Sequence, residues 1–124
     1  MMMDMRSYWD AILRQDADEI RAYFHPDADI RWHNTNEHFN VDEFIQVNCE
    51  YPGDWAGNVE RIEMLGDLVV TATNVRVADG SLSFHVVSFM KMRDGKIASI
   101  DEYWGDDGLP PQWRLDKKIG RAIL

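Results

Sequence analysis

Cysteine is almost missing from this chain. Cys49 is the single one in 124 residues, which excludes an intrachain disulfide and any cysteine-based metal cage. A lone free thiol suits a reducing compartment, so a cytoplasmic location is expected. Basic residues are also scarce: 13 Lys and Arg face 22 Asp and Glu, a formal charge of -9. An acidic surface repels phosphate backbones and anionic bilayers, so neither a nucleic-acid nor a membrane partner is expected. No apolar run approaches the roughly 18 residues of a membrane span. The segment from Met1 to Asp10 has no basic-then-apolar signal layout. Internal repeats, linkers and low-complexity tracts are lacking. So are an H-x-x-x-H pair, a G-x-S-x-G elbow and a glycine spacing that would cradle phosphate. His33 and His38 meeting across a hairpin with one acid would be the best metal set. That pattern is too weak to support a site, and no metal or cofactor is expected.

What remains is a chain with 45% hydrophobic residues, enough for one folded domain over 1–124 with a real core. Met5, Tyr8, Trp9, Ile12 and Leu13 recur at helical spacing. Asp16 with Glu19 three residues on marks the start of a second helix, which His25-Pro26 should end. A short strand is expected over 28–33, a turn at Asn34-Thr35-Asn36 and a brief returning strand at His38-Phe39. Asn40 with Glu43 caps a third helix, and Tyr51-Pro52-Gly53 closes it. Three turn dipeptides (Gly66-Asp67, Asp79-Gly80 and Asp94-Gly95) then punctuate four alternating apolar runs. These read as strands near 57–65, 68–78, 81–93 and 96–105. Helices followed by a long antiparallel meander indicate an α+β fold. Strands this long usually twist and bend, and a bent sheet covered by helices can enclose a pocket.

Three groups of residues could carry chemistry there. His85 lies inside the third meander strand, whose two faces are both largely apolar. It is read either as a pocket group or as a satisfied residue on a subunit interface. Asp101 and Glu102 lie on opposite faces of the last strand, and apolar neighbours flank both. One of them should be interior, where burial would raise its pKa. Pairing with His85 would lower the acid and raise the imidazole, giving either a general acid–base pair or a mute structural hydrogen bond. Trp32 can wall an apolar ligand, as can Trp104. His33 is read as a candidate ligand contact, or with Asn34 simply begins a loop. Tyr51 and Trp55 sit in the loop after the third helix, as a lid or as a plug. Cys49 has no basic neighbour to lower its thiol pKa.

The order of these elements resembles the NTF2-like superfamily, and more closely its SnoaL-like proteins. The likeness rests on Tyr23-Phe24-His25-Pro26-Asp27-Ala28 before Ile30-Arg31-Trp32, and on Phe39-Asn40-Val41-Asp42-Glu43-Phe44-Ile45. It also rests on Asp94-Gly95-Lys96-Ile97 running into Asp101-Glu102-Tyr103-Trp104. It covers nearly the whole chain. The resemblance implies a cone-shaped α+β barrel: one strongly curved, mostly antiparallel sheet closed by three N-terminal helices. It also implies a homodimer through the outer sheet face. Members include isomerases, polyketide cyclases, epoxide hydrolases and dehydratases, so fold alone does not choose a reaction. Members with acid–base chemistry place a carboxylate or a His–Asp pair inside the fold, and His85, Asp101 and Glu102 occupy the matching positions here. No tyrosine–acid oxyanion pair of the isomerase kind can be matched. The expected function is binding of a small, partly hydrophobic molecule, with cofactor-independent proton transfer by Asp101 or Glu102 if there is turnover. Isomerisation, cyclisation and hydration are the candidate reactions. The rivals are a binding module without turnover and a dimeric structural or interaction domain.

Overall fold

The computed structural model describes residues 3–124. Helix α1 (Met5–Arg14) turns Met5, Tyr8, Trp9, Ala11 and Ile12 into the core. Asp4 caps it by accepting from the backbone N–H groups of Arg6 and Ser7. Asp16 caps the short α2 (Ala17–Ala22) by accepting from the Glu19 N–H. Helix α3 (Val41–Cys49) opens with a full capping box: Asn40 accepts from the Glu43 N–H, and the Glu43 side chain accepts from the Asn40 N–H.

Strand β1 (Phe24–Trp32) begins four residues earlier than the sequence suggests and follows α2 almost directly. Its register against the sheet shifts between Phe24 and Asp29. Pro26 falls in that irregular stretch, where its missing N–H costs no ladder bond. The short β2 (Glu37–Phe39) pairs antiparallel with the end of β1. The meander is β3 (Trp55–Leu65), β4 (Leu68–Val77), β5 (Ser83–Arg93) and β6 (Lys96–Asp106). Asp94 and Gly95 both take positive φ, 52° and 78°, the tight turn that joins β5 to β6. The strands order as β2-β1-β6-β5-β4-β3, with β1 parallel to β6 and every other pair antiparallel. Strand β3 is one free edge and carries a bulge between Val59 and Arg61.

This arrangement overturns the cone-shaped barrel. Closure requires the two edge strands to pair. Here β2, of three residues, and β3, of eleven, lie at opposite ends of one open sheet that is not strongly curled. Three N-terminal helices do not close it either. Only α1 and α3 have notable length, α2 has six residues, and α3 enters the chain after two strands.

The inner face is built in rungs that cross several strands. The deepest rung joins Val69, Met90, Ile100, Ile30 and Phe39, all buried and apolar. The next joins Thr71, Ser88, Glu102 and Trp32. Thr73, Val86 and Trp104 form the third, and Val75, Phe84 and Asp106 the fourth. Beyond Asp107, whose N–H donates to Ser83, the backbone bonds of the C-terminal segment are local to it. That segment contains α4 (Gln112–Asp116) and leaves Leu109, Trp113 and Ile119 exposed.

Gly57 sets how closely β3 approaches β4 and α1. A Cβ there would lie 2.2 Å from the Asn74 carbonyl oxygen and 3.3 Å from Leu13 Cδ1. Gly57→Ala should therefore destabilise the fold by about 2–3 kcal/mol, measured by urea unfolding. An effect below about 0.5 kcal/mol would show that the two strands part without strain.

Candidate functional site

Burying an ionisable group is costly unless its charge is removed or its oxygens are satisfied. Glu102 is 1% exposed and sits on the second rung. Its neighbours on both sides along the rung supply donors. Ser88 Oγ donates to Oε2 at 2.5 Å, and the Trp32 indole N–H donates to Oε1 at 2.8 Å. The Trp104 indole N–H also favours the charged form, though it closes no hydrogen bond of regular geometry. Burial outweighs these donors and holds the carboxyl above its ordinary 4.5. Tyr8 shares this layer. Its hydroxyl is buried without a hydrogen-bond partner, and desolvation, with a smaller push from the Glu102 charge, holds it well above 10. The Trp9 indole N–H donates to Thr71 Oγ1 at 3.2 Å on the same rung. The polar layer therefore lies over an apolar floor and takes up indole donors from above.

Over that layer, between the helices and the sheet, opens a cavity of about 280 Å³. From the sheet and its edge loops come Trp32, Asn34, Trp55, Phe84, Trp104 and Asp106. From α1 come Trp9, Ile12 and Leu13, and from α3 and the loop after it Val47, Asn48 and Tyr51. The aromatic rings meet edge to face: Trp32 and Trp104 centroids are 5.8 Å apart, Phe84 and Trp104 6.1 Å, and Tyr51 and Trp55 5.1 Å.

The structure thus gathers Trp32, Asn34, Tyr51, Trp55 and Trp104 around one cavity, with Glu102 directly beneath two of them. His85, His33 and Asp101 lie elsewhere, on the outer face. His85 opposes Gly105 and bonds to Asp107, and it reaches Glu60 at 3.1 Å. These carboxylates, Asp107 first, raise the imidazole pKa. No pairing of His85 with Asp101 or Glu102 forms. Glu102 is on the other face, and Asp101 opposes Phe89, four residues or about 13 Å along β5. Asp101 instead accepts from His33 Nε2 at 2.7 Å, and His33 stacks on Tyr103. Cys49 is partly buried, bonds to the Gln15 carbonyl, and its thiol is raised by desolvation.

Trp9, Phe84, Ser88 and Asp106 were not singled out by the sequence. Trp9 reads as ordinary core on a helical stripe. Ser88 is the one polar residue on its face of an otherwise apolar strand, which is a usable signal for a buried polar contact. Among the described residues no group of three or more His, Cys, Asp or Glu could hold a metal ion, and no helix is long and apolar enough to cross a membrane.

The pH dependence of stability follows from Glu102. Its pKa is higher folded than unfolded, so ionising it opposes folding. The penalty is absent while the carboxyl is protonated in both states. It grows as pH rises past the unfolded value and levels off once the folded carboxyl ionises. Glu102→Gln keeps an acceptor for Trp32 and removes this term. The melting temperature of the variant minus that of the native chain should rise once pH passes the ordinary carboxyl range and then level off, read by circular dichroism. A difference independent of pH would contradict the assignment.

Residues 5–100 match the family model described as a SnoaL-like domain. No curated protein matches the chain. Among solved structures, a proposed ketosteroid isomerase from Kribbella flavida is similar at 23% identity and TM-score 0.77, covering 94% of this chain and 84% of that one. An NTF-2 like protein of unknown function from Burkholderia xenovorans is similar at 23% identity and TM-score 0.74, over 94% and 89%. A hypothetical protein with a ketosteroid isomerase-like fold from Catenulispora acidiphila, in complex with trimethylamine, is similar at 11% identity and TM-score 0.67, over 83% and 86%. At these identities the solved structures speak for the fold. With the family model spanning most of its length, the chain belongs to the SnoaL-like family.

Proposed function

We propose that this protein binds a small, partly hydrophobic molecule in the aromatic cavity between its helices and its sheet. The observation that carries this reading is the anchoring of the walls. Trp9 and Trp32 spend their indole N–H groups on the polar rung below, so they offer the cavity ring carbon. A cavity of about 280 Å³ suits a ligand of one or two rings. The trimethylamine held by the Catenulispora structure supports a fold able to admit a small organic molecule. Glu102 is a positioning residue on this reading, since it holds the Trp32 wall.

Proton transfer is the second reading, favoured by the raised pKa of Glu102 under donors that stabilise its anion. A substrate would have to reach it between Trp32 and Trp104. Glu102→Gln separates the two readings once a ligand is found by mass spectrometry of the purified protein. If Glu102 is the proton acceptor, turnover should fall by about 100-fold or more with ligand affinity kept. If it only holds the wall, affinity should again be kept, since the amide oxygen still accepts from Trp32, and no reaction of the native chain should be found.

A homodimer through the outer sheet face belongs to the same proposal. Val87, Phe89 and Tyr103 are exposed together there, 37–49% each, with Phe89 and Tyr103 edge to face. Phe89→Glu should shift the chain from dimer to monomer in sedimentation velocity at micromolar concentration. A native chain that sediments as a monomer would remove this part.

A further inference from the structure

The one charged group among the described lining residues of the cavity is a carboxylate, and the uncommitted hydrogen-bonding atoms are of both kinds: the Asn34 amide N–H groups and the indole N–H groups of Trp55 and Trp104 as donors, and several oxygens as acceptors. Gln15 donates its side-chain amide N–H groups to the carbonyl oxygens of Asn48 and Tyr51, both at 2.8 Å. Asn48 donates its own to the Phe44 carbonyl at 2.7 Å. Because these partners can only accept, the orientation of both amides is settled, and their oxygens remain uncommitted. The Thr35 hydroxyl donates to Glu37 at 2.7 Å, which leaves its lone pairs to the cavity. Asp106 adds a carboxylate at the mouth. No Lys, Arg or His is among the described lining residues. The walls are rich in tryptophan and phenylalanine rings, whose quadrupoles attract cations over their faces. The whole chain carries -9, which raises the local concentration of cations and lowers that of anions.

We infer that the cavity selects an organic ammonium ion, seated against Trp32, Phe84 and Trp104 with Asp106 at the mouth as its counter-charge. This rests on the ligand-binding reading above and names the chemical class of the ligand. A purely hydrophobic site would discriminate by shape alone. An aromatic site whose one charged group is a carboxylate discriminates by charge as well.

The test is a pair of probes of equal shape that differ in charge: choline and 3,3-dimethylbutan-1-ol. Each is titrated into the full chain by isothermal calorimetry, with tryptophan fluorescence as a second readout. Choline should bind at least tenfold more tightly than the neutral alcohol. Asp106→Asn, a change at an exposed rim position, should cut choline affinity about three- to tenfold and leave the alcohol unaffected. Equal affinity for the two probes would overturn the charge selection and leave the apolar binding site standing. Failure of both to bind up to 50-fold above about 1 mM would overturn the inference and the binding reading together.

Discussion

A carboxyl group sealed from water is the constraint around which this molecule is arranged. Leaving Glu102 without partners would cost several kcal/mol, and the donors that prevent this come from distant parts of the chain. Ser88 arrives from β5, where it directly opposes Glu102, and Trp32 arrives through the parallel pairing of β1 with β6. The same contacts hold Trp32 against Trp104 and so shape the wall of the cavity. Stability, sheet register and pocket shape are therefore one problem here. A change in the polar rung is felt in the cavity without any contact to what the cavity holds.

The two faces of the sheet treat ionisable groups in opposite ways. Inside, one carboxyl is dry and displaced upward. Outside, three histidines are matched with acids in water: His33 with Asp101, His38 with Asp29, and His85 with Asp107 and Glu60. These side chains are 30–64% exposed, so each pair contributes little to stability.

Local signals carried most of the element order. Caps at Asp16 and Asn40 were legible because capping chemistry is spelled in adjacent residues, and the meander was legible because its turns and alternation are local too. The start of β1 was not. His25-Pro26 looks like a stop, and only the irregular register of that stretch makes a proline tolerable in a strand. Nor was the open sheet legible: alternation shows that a strand has two faces but not how far a sheet curls or which edges meet. The choice between Asp101 and Glu102 was undecidable locally, since apolar residues flank both. It is settled by pairing across chain separations that leave no mark in the neighbouring sequence. The choice between the two readings of His85, pocket group or interface residue, was undecidable for the same reason. Both faces of its strand are largely apolar, and only the pairing of β5 shows that the face His85 shares with Ser83, Val87 and Phe89 is the outer one.

The bulge in β3 has a consequence for life at high concentration. A long unpaired border with exposed Met64 and Leu65 invites a neighbour to extend the ladder and begin an aggregate. The extra residue at Glu60 kinks that border and interrupts its line of free amide and carbonyl groups, while Arg61 and Glu63 add charge along it. An incoming strand would find only short straight stretches to template on. The irregularity that lets Glu60 reach across to His85 thus also discourages fibrous stacking.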